Sequence, residues 1–142
     1  MLMRRKLILT AGVLATAGAV TLGTAGAASA KSSFTLKAGH KTVHPRSTVA
    51  FQLRAASDSA GVHLSGLRFC LERSAGKAKF TTVKCTTLSH WNRKDEAQIY
   101  TIAYNVGAKK GAYTFRGSVQ SKDSHNHWRH PYKSNTVLLH VK

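Results

Sequence analysis

Apolar side chains recur at every second position through most of this chain. A two-residue period belongs to the β-strand, whose successive side chains point to opposite faces. Val49, Phe51, Leu53 and Ala55 alternate with Thr48, Ala50, Gln52 and Arg54, and Leu67, Phe69 and Leu71 alternate with Arg68, Cys70 and Glu72. Tyr100, Ile102, Tyr104 and Val106 form a third set, Tyr113, Phe115, Gly117 and Val119 a fourth, and Val137, Leu139 and Val141 a fifth. Phe34 and Leu36 open the series. The β-branched stretch from Phe80 to Cys85 follows a Ser-Ala-Gly-Lys turn, which predicts a hairpin over 67–85. About seven short strands separated by turn signals predict an all-β, antiparallel sandwich. No window carries a helical stripe, and Pro45 and Pro131 are expected in loops.

The alternation begins only after residue 30. Ahead of it, Arg4, Arg5 and Lys6 form a cationic patch, Leu7 to Leu22 is apolar and uncharged, and Ala28-Ser29-Ala30 supplies small residues. This tripartite pattern predicts a secretory signal peptide over 1–30, cleaved after Ala30, and a single domain over 31–142. The apolar stretch is rich in Ala, Gly and Thr, too weakly hydrophobic for a permanent anchor. Arg4-Arg5 suggests a twin-arginine route, but Met3 precedes the pair, so general secretion is the expected path. No cysteine follows the small residues, which disfavours a lipoprotein. In an exported chain, Cys70 and Cys85 are expected to form one disulfide stapling the hairpin. The protein is expected outside the cell, free or associated with the wall.

Charge is lopsided: 22 Lys and Arg against 5 Asp and Glu, a formal +17 over 142 residues. Cleavage removes three cations, so 19 remain against 5, or +14 over 112 residues. So few carboxylates leave little material for an acidic metal site or a paired-carboxylate hydrolase. Anionic neighbours outside the cell would be wall teichoic acids, phospholipid headgroups, acidic polysaccharide, stray nucleic acid or an acidic protein. The cations are spread along the sequence, which argues against a dedicated polymer groove. No RNA-recognition, zinc-finger or helix-turn-helix pattern supports sequence-specific nucleic-acid binding.

Two segments concentrate polar chemistry. His125, His127, Trp128, Arg129, His130 and Tyr132 lie in an expected loop before the last strand, and His90, Trp91, Arg93 and Lys94 in an earlier one. Trp, Tyr and Arg are enriched at binding hot spots, and sandwiches present loops at their ends for recognition. The bland alternative is that each tryptophan caps an end of the core. His125, His127 and His130 could instead converge on zinc or copper, although only Asp123 stands nearby to complete a site. A small secreted ribonuclease is the enzymatic alternative, with Glu96 as base, Arg116 for phosphate and one of the three loop histidines as acid. There is no nucleophile elbow, P-loop, dinucleotide fingerprint or His-Glu-x-x-His helix. A non-catalytic binding module without cofactor is therefore expected, its partner an exported protein or an anionic envelope polymer.

Gly111-Ala112-Tyr113-Thr114-Phe115-Arg116, followed by Ser134-Asn135-Thr136-Val137-Leu138-Leu139-His140-Val141, resembles the last two strands of immunoglobulin-like and fibronectin type III-like domains of secreted bacterial proteins. The stretch from Thr48 to Leu71 resembles the middle of such modules. The resemblance implies an Ig-like sandwich with binding or spacer roles. Tyr113 then stands at the tyrosine corner, its hydroxyl tying down the preceding loop. The third strand departs from the pattern, carrying Leu67 and Phe69 where such domains often place a tryptophan.

Overall fold

The computed structural model describes residues 31–59 and 61–142, with the backbone alone at His130 and Pro131. The expected signal peptide, 1–30, lies outside the described residues. The alternating segments are strands: β1 (Ser32–Ala38), β2 (Thr42–Val43), β3 (Thr48–Ser57), β4 (Arg68–Ala75), β5 (Thr81–Thr86), β6 (Ser89–Asn92), β7 (Ala97–Asn105), β8 (Gly111–Lys122) and β9 (Trp128–Val141). They form a four-stranded sheet ordered β1-β3-β7-β6 and a five-stranded sheet ordered β2-β9-β8-β4-β5. Every pairing is antiparallel except that of β2 with β9, where the chain crosses from one sheet to the other. Strands one, two, five and four of an immunoglobulin domain lie in the first sheet, and three, six and seven in the second. The fold is an Ig-like sandwich.

Period two accounts for the core directly. Along β3 every second side chain, Val49, Phe51, Leu53 and Ala55, is buried. These residues meet Tyr100 and Ile102 of β7, Phe69 and Leu71 of β4, Phe115 and Val119 of β8, and Leu139 and Val141 of β9 in one apolar cluster. Phe51 and Phe115 pack ring to ring across the sheets, centroids 4.6 Å apart. Burying each such side chain contributes about 1.5–3 kcal/mol. At Gly117 there is no room for more: an added Cβ would come within 3.0 Å of Phe69 and 3.1 Å of Leu53.

The structure corrects the sequence reading at three points. The described residues form nine strands rather than about seven, because β2 and β6 are too short for alternation to show. Ser89–Asn92, expected within a polar loop, is strand β6. The last strand begins at Trp128, so Pro131 lies inside β9 rather than in a loop. The β8–β9 ladder slips by one residue there, pairing Ser121 with Arg129 but Val119 with Tyr132. A bulge suits proline, which has no N–H to give to a ladder.

One fastening joins the two sheets and another staples strands within one of them. Asn135 of β9 reaches β1, its Oδ1 accepting the Leu36 N–H (2.7 Å) and its Nδ2 donating to the Leu36 carbonyl (3.1 Å). Cys70 and Cys85 face each other across β4 and β5 and are joined, Cα atoms 4.0 Å apart. This bridge lies within one sheet, unlike the inter-sheet disulfide of antibody domains.

The tyrosine corner is present. The Tyr113 hydroxyl, on a buried ring, donates to the Lys109 carbonyl at 2.9 Å. Tyr113→Phe should therefore lower stability by about 1 kcal/mol. A urea melt reads this as a lower midpoint at constant slope, and an unchanged midpoint would show that the bond contributes nothing.

Candidate functional site

Strand register decides which loops are neighbours. β3 ends where β7 begins (Ala55 opposite Gln98), and β4 begins where β8 ends (Arg68 opposite Gln120). The β3–β4 loop, the β6–β7 turn and the β8–β9 turn therefore share one end of the sandwich. Arg93 and Lys94 on the second, and His125 and His127 on the third, are brought to the same end and exposed.

Each loop is fixed by its own polar residues. Tyr100, fully buried on β7, donates its hydroxyl to the Leu64 carbonyl (2.6 Å) and accepts the Leu67 N–H (3.1 Å), anchoring the β3–β4 loop to the core. In the β6–β7 turn, Asn92 Oδ1 accepts the N–H groups of Lys94 and Asp95 (3.0 and 3.2 Å), and Arg54 donates to the Asp95 carbonyl (2.8 Å). Asp123 organises the third: Oδ1 accepts the N–H groups of His125 and His127, both at 2.9 Å, and Oδ2 pairs with Arg129 Nε at 2.9 Å. Short acidic side chains bonding to backbone N–H two and four residues on are a turn device. The spacing of Asp123 to His127 is the signal from which this role could have been read.

Of the remaining expected site residues, Trp91 and Arg129 stay at this end and the others lie on other faces. Trp91 is half-buried and stacks flat on His63 of the β3–β4 loop, centroids 3.7 Å apart at 10°. It lines up opposite Gln98, a buried residue, and with His63 over its ring it does not stand free. His90, its chain neighbour, is exposed opposite Ile99, on the other side of the strand. Trp128 stands opposite Lys122 on the outer face of the five-stranded sheet, with the Arg68 guanidinium and the Lys122 ammonium each 5.1 Å from its ring. Arg68 is held there by Gln120 Oε1 at 2.6 and 2.9 Å. Arg129 is exposed beside Asp123. Tyr132, 58% exposed, stacks on Phe34 of β1 at 5.7 Å, on the flank between the sheets. The side chain of His130 lies outside the described residues.

The histidine turn brings the His125 and His127 rings to 6.5 Å of one another. No group of three metal-ligating side chains is present among the described residues. Asp123, the nearest carboxylate, already receives two backbone N–H groups and a guanidinium. In the ribonuclease trio, Arg116 is engaged at mid-strand, its Nε 2.6 Å from Glu72 Oε2.

That ion pair belongs to a polar cluster the sequence did not disclose. Glu72, its side chain 11% exposed on the outer face of β4, also receives Lys133 Nζ at 3.0 Å. Arg116 lies over the Phe80 ring, 3.9 Å from its centroid. Burial pushes the Glu72 carboxyl up, but hydrogen bonds from Arg116 and Lys133, with their charges, outweigh it and hold the group below the usual carboxylate value.

No family model matches the sequence, and no curated protein matches it. Among solved structures, the CARDB domain of the PF1109 protein from Pyrococcus furiosus, in complex with di-metal ions, is similar with a TM-score of 0.47 and 12% identity, over 79% of this chain and 93% of that one.

Proposed function

We propose that residues 31–142 form an exported, non-catalytic binding module that engages its partner through the loop end carrying Arg93, Lys94, His125, His127 and Arg129. The observation that carries this reading is convergence: two polar segments about thirty residues apart in sequence lie at one end of a rigid sandwich, on turns fixed by Asn92 and Asp123. Loops held by a stiff scaffold are preorganised, so little ordering entropy opposes binding. Export is supported by the disulfide, with no free cysteine among the described residues and no described helix long and apolar enough to cross a membrane. The partner is an exported protein or an anionic envelope polymer, recognised by cations and imidazoles together.

Immobilised 31–142 tests this against the producing cell's medium and envelope at low and moderate salt. The expected result is a partner retained at moderate salt and lost at least tenfold when Arg93, Lys94, His125 and His127 are together replaced by Ala. Retention unchanged by that replacement would overturn the assignment of the surface.

A further inference from the structure

The acids of this domain gather in space although acids and bases are mixed in sequence, while the bases occupy both ends. Asp58, Asp95, Glu96 and Asp123 all lie on the three loops of the end just described, and the fifth acid, Glu72, is buried at mid-sheet under Arg116 and Lys133. The opposite end is formed by the β1–β3 connection, the β4–β5 turn and the β7–β8 loop. It carries Lys41, Arg46, Lys77, Lys79, Lys109 and Lys110, all exposed, and no Asp or Glu. An even spread along the sequence thus becomes, in the fold, an end that carries basic and no acidic side chains.

The cations form a row. The β4–β5 turn sits over one edge of the five-stranded sheet, the β7–β8 loop leads into the middle strand β8, and Lys41 and Arg46 flank β2 at the far edge. At about 4.8 Å per strand, the row is about 20 Å long. It is also braced. Arg46 N–H donates to the Gly107 carbonyl (2.6 Å) and Val106 N–H to the Ser47 carbonyl (3.0 Å), tying two of the loops together. The Lys109 carbonyl is tied to Tyr113, and the Arg73 guanidinium lies 5.2 Å from the centre of the same ring.

We infer that this lysine row is a docking surface for a linear phosphate polymer that carries no bases. Six cations in a row on braced loops fit repeated anions better than one small anion. Five of the six are lysines, compact point charges that meet phosphate without demanding a planar fork. Proteins that hold single-stranded nucleic acid add exposed aromatic platforms for the bases. Here the aromatics near the row are occupied: Phe80 lies under Arg116, Tyr104 is half-buried and bonded to Arg73, and Tyr113 is buried. The row therefore reads charge and spacing alone. It does so independently of what the opposite end binds.

Fluorescently labelled long-chain inorganic polyphosphate is the probe, titrated by anisotropy with 31–142 at 50, 100 and 200 mM NaCl. Neutralising about six phosphates gives a log–log salt slope near −4, a loss of about 300-fold across that range. Lys77→Ser/Lys109→Ser/Lys110→Ser should halve the slope, to about −2. The charge-matched Lys31→Ser/Lys84→Ser/Lys122→Ser, exposed lysines outside the row, should leave it near −4. Equal losses in the two triple variants would overturn the inference, because binding would then follow net charge and not the row. Tighter binding of oligo-dT of equal phosphate number would also overturn it in favour of single-stranded nucleic acid, and capture by anionic phospholipid vesicles without polyphosphate binding would reassign the surface to a membrane.

Discussion

Replacing both cysteines, Cys70→Ser with Cys85→Ser, is expected to lower stability by about 3 kcal/mol, the loop-closure value for cysteines 15 residues apart. For a domain of this size the melting temperature should fall by roughly 10–20 °C. The loss should be concentrated in β5. That strand is at the sheet's edge, pairs only with β4, and has no fully buried side chain. Besides the partly buried Val83 on the core and Lys84 Nζ donating to the Ala103 carbonyl (2.8 Å), its hold on the domain is the ladder to β4 and the covalent bridge near one end of it. Amide hydrogen exchange reports this directly: protection in β5 should collapse before that of β3 and β7. A variant that melts within about 3 °C of the native protein, with β5 still protected, would show that the ladder suffices.

Glu72→Gln is the second large effect, about 2–3 kcal/mol at neutral pH. It leaves Arg116 and Lys133 without their carboxylate, and charge-assisted hydrogen bonds to a largely buried group are among the stronger polar contributions. The pH dependence has a definite sign. The folded-state pKa of Glu72 is lowered, so its stabilisation is complete above the ordinary glutamate value of about 4.3 and is lost as pH falls through the lower folded value. The stability gap between native protein and Glu72→Gln should be constant from about pH 5 to 8 and should close in stronger acid. Urea melts at several pH values read this gap. One that opened as pH fell would contradict the ion-pair account.

The elements legible in advance were those whose physics is local. Alternation at Val49–Ala55 predicts a half-buried strand because side-chain direction depends on parity alone. The hairpin with its facing cysteines follows from turn composition, and Tyr113 acts four residues from its partner, Lys109. What escaped depended on position across the fold. Ser89–Asn92 is too short to show a period, and its pairing comes from β7. Trp91 in an exposed loop and Trp91 stacked on His63 are the same string of letters; only the path of the β3–β4 loop distinguishes them. Glu72 looked like a solvent-facing alternate, yet Arg116 and Lys133, 44 and 61 residues away, enclose it. The gathering of the acids is the extreme case. Asp58 and Asp123 lie 65 positions apart and still fall at one end, because antiparallel strands return the chain there.

The Asn135 side chain has a consequence for the protein at high concentration. A sheet's outermost strand displays unpaired N–H and C=O groups, an invitation to strands of neighbouring molecules and a route to aggregation. Midway along β1, the N–H and C=O of Leu36 are already taken by one amide from β9. A second molecule approaching that edge finds its central pairing site satisfied from within, so Asn135 serves solubility as well as closure.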